Sequence, residues 1–485
     1  MTSQLSLFEN SEKGNKLFEK FKTSLLLSAV GDSLGWPLEF RKKKPKRKIE
    51  SFIKWKKLVG GKWWGYLDEI APGEYSDDTQ LTLSVARSIR SNGEFDPSYF
   101  AYLELPLWLN YERGGGRSIK SAARNLLKKK TLWYTNFYKT KKVTYFNAGA
   151  NGAAMRNLPI ALVNMDKEER FIHDTIKNSL ITHGHPRGII GSLLIGAAQI
   201  YLLKNNSTIH LLEYINHILS KSDQEIKHPH DKDISNWLAQ INKNLSFDFS
   251  KKFNEYIREA VEFINNIPKF LNKEDNDYYS FVKAIEPFFK GSGVSTTCAA
   301  IYMFLKYLDH PDEGLINAVN FVGTDTDTIA SFIGSLIGTY LGTSVSQKLK
   351  ELQDKIQDKN YFLKVAESLW KIYIGEIKTT EAQRGTGKTE SYLKILAWEI
   401  GLHELFWEAL KEDDRVIHPT LGKGTIEYKT IKEIRKRDDY VVKIFKIRFD
   451  CGQTAYFHSR VSKEGIVSES LAKEAEKGLG STTPS

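Results

Sequence analysis

The sequence predicts a mainly all-α protein, a compact multi-helix body followed by a small β-barrel unit. Two observations lead there. From Lys16 to about Gly375 apolar residues recur at three- and four-residue spacing, the period of a helix with one buried face. After about residue 376 that period gives way to short β-prone runs separated by glycine-containing turns. No repeat of fixed period is visible, which argues against a solenoid.

The helical period is clearest in FEKFKTSLLLSAVGDSLG, LTLSVARSIR, GIIGSLLIGAAQIYLL and AAIYMFLKYL. The change comes with the polar stretch KTTEAQRGTGKTES and one more helical run, YLKILAWEIGLHELFWEALK. The β-prone runs RVIHP, GTIEYK, YVVKIFKIRF and TAYFHS follow, split at Leu421-Gly422-Lys423-Gly424 and Asp450-Cys451-Gly452 as hairpins would be. The expected division is a helical domain over 1–375, a linker and connecting helix over 376–410, a small β domain over 411–470 and a disordered tail over 471–485.

Composition narrows the class. A 41% hydrophobic share across 485 residues is enough for a packed interior. The net charge of +11 favours a polyanionic partner or substrate. Cys298 and Cys451 stand far apart, so neither a disulfide framework nor a cysteine metal site is expected. The N-terminus lacks the basic start and apolar run of a signal peptide. The apolar run Ile329–Leu341 is short against the roughly 20 residues a membrane span needs. The reading is a cytoplasmic protein without a membrane partner.

Two short acidic motifs carry the chemistry. Ser76-Asp77-Asp78-Thr79 follows Pro72-Gly73 and precedes a helix with Leu81, Val85 and Ile89 along one face. Asp325-Thr326-Asp327-Thr328 follows Gly323 and precedes ASFIGSLIGTYLG. Each sits where a loop enters a helix, and each alone would serve as an N-cap. Capping needs one side chain, however, and each motif concentrates two carboxylates. Clustered carboxylates repel unless cations neutralise them. Carboxylate and hydroxyl oxygens together suit hard divalent ions, Mg²⁺ or Mn²⁺ before Zn²⁺.

Five stretches in order, AVGDSLGWPLEF, GEYSDDTQLTLSVARSI, NAGANGAAMRNLPIAL, THGHPRGIIGSLLIGA and NFVGTDTDTIASFIGSLIGTYLG, resemble the ADP-ribosylglycohydrolases. The resemblance covers roughly residues 20–370 and implies a dinuclear-metal hydrolase that removes ADP-ribose from an acceptor. It implies Ser76, Asp77, Asp78, Asp325, Asp327 and Thr328 as ligands to two Mg²⁺, with Mn²⁺ possible. Glu39, Asp77, Asp78 and Asp327 are the implied catalytic carboxylates, and Asp32 is read as structural. Asn151, Gly152 and His183 match ADP-ribose contacts. Gly114, Gly115 and Gly116 fall where the family places a phosphate-contacting loop. Ser76, Thr324 and Gly184 depart from the commoner Thr, Gly and Pro. A catalytically silent binder of ADP-ribose or nucleic acid is the competing reading, and the intact acidic motifs count against it.

Other features have plainer readings. Gly334, Gly338 and Gly342 indicate close helix packing, His185 a structural histidine, and His228 and His230 a solvated loop. AQRGTGKT satisfies a loose phosphate-loop pattern without the surrounding fold and reads as linker. Residues 41–66 carry eleven Lys/Arg against one Glu, and 126–146 interleave lysines with Trp133, Tyr134, Phe137 and Tyr138. Such segments can hold phosphates and stack bases, so nucleic acid is a candidate partner, beside the equal alternative of a solvated basic face with its aromatics packed inward. The C-terminal unit resembles the SH3/Tudor-like module ending some superfamily-1 DNA helicases, which implies a protein-docking adaptor.

Overall fold

The computed structural model describes residues 12–61, 63–128, 130–377 and 410–463. Six of its helices set up the site: α1 (Glu12–Gly35), α2 (Asp77–Arg87), α3 (Pro186–Lys204), α4 (Gly293–Lys306), α5 (Thr326–Leu341) and α6 (Lys359–Tyr373). The spine of the body is the pair α1 and α5, whose backbones touch. A Cβ on Gly31 would stand 2.1 Å from the Ala330 carbonyl oxygen, and one on Gly334 would stand 2.0 Å from that of Leu27. Gly35 and Gly338 meet the partner backbone at 2.3 and 2.4 Å in the same way. The Ser28 and Ser331 hydroxyls hydrogen-bond across this seam at 2.9 Å. The four-residue glycine spacing is therefore a packing device.

Helix α3 is apolar on every side, as a helix surrounded by others must be. It is long and apolar enough to cross a membrane by length and composition, yet 94% of that window is buried inside the protein. It packs on α4 where Gly191 meets Gly293, and Gln199 donates to Ser335 of α5. His185 caps its start by accepting from the Arg187 N–H, which bears out the structural reading of that histidine.

Two β structures complete the molecule. Strands β1 (Trp55–Val59) and β2 (Tyr66–Ile70) form an antiparallel hairpin that pairs Lys57 with Asp68. Sequence reasoning saw only a basic segment here, because WKKLV has no apolar alternation strong enough to announce a strand. Strands β3 (Arg415–His418), β4 (Gly422–Glu433), β5 (Tyr440–Phe449) and β6 (Thr454–Ser462) form an antiparallel sheet in sequence order. It is a curled half-barrel, the small β unit that the turn residues predict.

An open sheet leaves one apolar face needing cover, and the helical body supplies it. Leu421, Ile426, Phe445, Ile447 and Phe449 belong to the same continuous core as the helices. Polar contacts seal the edge. Buried Arg87 pairs with Glu104 at 2.8 Å and donates to Gln453 at 2.8 Å. Asp358 accepts from the Thr454 N–H and hydroxyl, both at 2.7 Å, and from Tyr75 at 2.8 Å. Among the expected segments, most of the linker with AQRGTGKT, and the tail, lie outside the described residues.

The glycine seam has a sign that can be measured. In an unconstrained helix interior Gly→Ala stabilises by about 1 kcal/mol. Gly31→Ala and Gly334→Ala should instead destabilise by about 1–3 kcal/mol in urea unfolding, because backbone cannot yield as a side chain can. A neutral or stabilised variant would show that α1 and α5 can separate freely.

Candidate metal centre

The first acidic motif is held by a residue from α1. The buried Asp32 carboxylate accepts from the Ser76 N–H at 3.0 Å, the Thr79 N–H at 3.1 Å and the Thr79 hydroxyl at 2.6 Å. Ser76 is the N-cap of α2, and its hydroxyl accepts from the Asp78 N–H at 3.2 Å. The capping work is thus done by Ser76 and Asp32. Asp77 and Asp78 are left with carboxylates that capping does not need, and Asp78 Oδ2 is buried without a hydrogen-bond partner among the described residues.

The second motif shows the same surplus. Asp325 occupies the N-cap position of α5, yet its side chain makes no capping bond. It is held sideways instead, accepting from Asn151 Nδ2 at 3.0 Å. Asp327 lies within the first turn of the helix and accepts from the Thr328 N–H at 3.0 Å. Because α5 lies on α1, this motif sits beside the end of α1, where Gly35 touches the Asp327 backbone and Thr326 donates to the Gly35 carbonyl. Glu39 stands just beyond, after the turn Trp36–Leu38. Carboxylate oxygens of Glu39, Asp325 and Asp327 lie within 4.8 Å of one another, and the three groups could hold a metal ion.

Burial and mutual repulsion dominate the electrostatics. Glu39, Asp78 and Asp325 are all pushed well above the usual carboxylate range, first by burial and next by the charge of Asp327. Burial raises Asp77 to about 7, with Lys57 pulling in the opposite direction. An all-oxygen donor set with an orphaned carboxylate oxygen fits a hard divalent cation. Glu39, Asp325 and Asp327 could hold it, and Asp77 and Asp78 at the start of α2 add their charge to the same cluster.

The other expected residues fall around this cluster with different local duties. Asn151 secures Asp325, a link that sequence did not show. Gly152 is packed under Ile119 and His183. His183 is fully buried, its Nδ1 2.7 Å from the Thr182 hydroxyl and its Nε2 unpartnered among the described residues. Burial pushes its pKa down to about 3, so the ring is neutral. Gly114 adopts φ +111° beside Asp77, where a Cβ would lie 2.7 Å from Oδ1. The Gly115 N–H already donates to Glu112 at 2.9 Å, which corrects the expectation that all three loop N–H groups face a phosphate. Of the two readings of the aromatics in 126–146, Trp133 and Tyr138 follow the inward-packed one. Trp133 and Tyr138 are buried, Trp133 taking a bond from its N–H to the Tyr102 hydroxyl and Tyr138 donating to the Thr182 carbonyl. They cannot stack on bases, because they fill the core beneath the exposed lysines. Trp36, Lys57 and Lys290 border the cluster, and sequence assigned none of them an individual role.

A model of the ADP-ribosylglycohydrolase family matches residues 13–377. The ADP-ribosyl-[dinitrogen reductase] glycohydrolase of Rhodospirillum rubrum is 28% identical over 191 residues, 39% of this chain and 60% of that protein. The ADP-ribosylarginine hydrolase Tri1 of Serratia proteamaculans is 26% identical over 197 residues, 39% of this chain and 49% of that protein. The chain therefore spans less than two thirds of either relative. An uncharacterised protein of Archaeoglobus fulgidus is 26% identical over 64% of this chain and 85% of its own length. A solved chain titled ADP-ribosylglycohydrolase-related protein complex aligns at a TM-score of 0.48 and 16% identity, over 74% of this chain and 99% of that one.

A carboxylate cluster without cations opposes folding, so removing one charge should help the metal-free protein. Asp78→Asn should raise metal-free stability by about 1–2 kcal/mol in thermal or urea unfolding, and abolish any stabilisation seen on adding Mg²⁺ or Mn²⁺. Equal metal-induced stabilisation of variant and wild type would remove Asp78 from the centre.

Proposed function

The chain belongs to the ADP-ribosylglycohydrolase family, and on that premise we propose that it hydrolyses the glycosidic bond between ADP-ribose and its acceptor. The observation that carries this reading is the surplus of carboxylates. Asp77, Asp78, Asp325 and Asp327 stand at two facing helix starts whose capping is done by other groups, or not at all. A silent binder would have no use for that costly arrangement.

In this reading Asp77, Asp78, Asp325 and Asp327, with Ser76 and Thr328, hold two divalent cations, Mg²⁺ or Mn²⁺. Such cations supply Lewis-acid polarisation and make water a competent nucleophile near neutral pH. Glu39 is the carboxyl at the edge of the cluster, half-buried and raised in pKa, and is placed to move protons as the acceptor leaves. Asn151 keeps Asp325 oriented. Gly152 and neutral His183 form the wall for the nucleotide, and Gly114 and Gly116 offer close backbone approach to the phosphates.

One observation favours an acceptor on, or bound to, nucleic acid. Arg41–Lys44 and Lys46–Lys48 are exposed and leave directly from Glu39, so a basic strip starts at the mouth of the site. The exposed Ile417 and Ile431 on the C-terminal sheet support a protein partner there. A cytoplasmic location accords with both.

Release of free ADP-ribose should be measured on arginine-, serine-, aspartate- and DNA-linked substrates with Mg²⁺ and Mn²⁺. Chelation with EDTA or Asp327→Ala should abolish it. Glu39→Gln should cut turnover at least tenfold while retaining ADP-ribose binding. Full turnover in metal-free protein would overturn the reading. Separately, neutralising Lys42, Lys43, Lys44, Lys46 and Arg47 together should flatten the salt dependence of DNA or RNA binding. Salt-independent behaviour in the wild type would leave a protein side chain as the acceptor.

A further inference from the structure

The hairpin β1–β2 brings one side chain into the site from outside the helical body. Lys56 and Leu58 point to solvent, so the strand alternation turns Lys57 inward. Its ammonium lies 4.7 Å from the Trp36 ring and 4.9 Å from that of Phe40. Lys57 Nζ is buried with no hydrogen-bond partner among the described residues, and the same is true of the indole N–H of Trp36, a residue only 1% exposed. Both nitrogens lie 3.4 Å from the point where a Cβ on Gly114 would stand, a point 2.7 Å from Asp77 Oδ1. Two buried donors left unpaired in one place are expensive unless an acceptor completes them. Glycine at position 114 keeps the space between them open.

The hairpin is braced from behind by the C-terminal sheet. The Tyr66 hydroxyl meets His458 Nδ1 at 2.8 Å, the Arg435 N–H donates to the Gly65 carbonyl at 2.8 Å, and Lys432 pairs with Glu69 at 3.2 Å. Arg113 ties β2 to the body through Asp68 at 3.0 Å and Glu74 at 2.7 Å. The ring of Tyr456 covers that guanidinium at 4.1 Å, and its hydroxyl bonds Glu74. Asp68 is the cross-strand neighbour of Lys57, so this brace acts one residue pair from the ammonium.

We propose that Lys57, together with the Trp36 N–H, receives an anionic, phosphate-type oxygen of the substrate, and that the C-terminal sheet positions it there through the β1–β2 hairpin. The inference rests on the glycohydrolase reading for the identity of the substrate, since ADP-ribose carries a diphosphate. Lys57 is then a specificity-determining residue, and Tyr456 and Tyr66 are positioning residues.

The test uses the full chain with Mg²⁺ and titrates ADP-ribose and, separately, inorganic phosphate into wild type, Lys57→Gln, Lys57→Arg and Tyr456→Phe. Lys57→Gln should weaken ADP-ribose ten- to a hundredfold, the loss of one charge-assisted hydrogen bond, and should weaken phosphate in parallel. Its Mg²⁺ affinity should stay within about twofold of wild type. Lys57→Arg should recover most of the binding, and Tyr456→Phe should show a smaller loss in the same direction. Unchanged ADP-ribose affinity in Lys57→Gln overturns the proposal, and tighter Mg²⁺ binding with it would mark Lys57 as a counter-ion of the carboxylates. Unchanged affinity in Tyr456→Phe overturns the bracing role. If wild type ignores ADP-ribose but takes phosphate in a Lys57-dependent way, the anion site stands and the glycohydrolase reading falls.

Discussion

Backbone contact between α1 and α5 is the constraint from which the site follows. Gly31 and Gly35 on one helix and Gly334 and Gly338 on the other let the two axes approach until carbonyl groups touch. That approach fixes where α1 ends, and so where Glu39 stands. It also fixes where α5 begins, and so where Asp325 and Asp327 stand. Asp32, one residue beyond Gly31, reaches across to the start of α2 and sets Asp77 and Asp78 opposite them. A small displacement along the seam would move three sources of carboxylate relative to one another, and close packing resists such sliding.

The electrostatic cost is concentrated at the same point. Each carboxyl of the cluster is raised in pKa by burial before any neighbour is considered. Two buried arginines show the contrary arrangement. Arg87 meets Glu104, and Arg113 meets Asp68 and Glu74, each with hydrogen bonds that satisfy the guanidinium. The contrast separates charges that hold the fold from charges whose partners come from outside the chain.

The acidic centre was legible in the sequence because its chemistry is packed into short contiguous motifs, and because capping could not account for two carboxylates in each. The helical body was legible from periodicity, and the β strands of the C-terminal unit from their turn residues. Lys57 was not. It is one of eleven cations in its segment, and its inward direction comes from hairpin register and from contacts such as Tyr66 with His458, 392 residues apart. Trp133 was undecided for a related reason. Aromatic residues interleaved with lysines look the same in sequence whether the rings face outward or fill a core. The cover of the small sheet was not legible, because the helical residues that pack on its inner face lie far away in sequence.

The merging of the C-terminal sheet with the helical core bears on the order in which the protein is made. Both acidic motifs and all of α5 leave the ribosome before the first strand of that sheet exists. Tyr456 and His458, which brace the hairpin carrying Lys57, emerge more than a hundred residues after Asp327. The growing chain therefore owns its carboxylates well before it owns the support for its buried ammonium. Domains that fold as units during synthesis finish in sequence order, whereas this site has to wait for one of the last described strands, and a polypeptide interrupted before β6 would carry an acidic centre with its hairpin lacking the Tyr456 and His458 contacts.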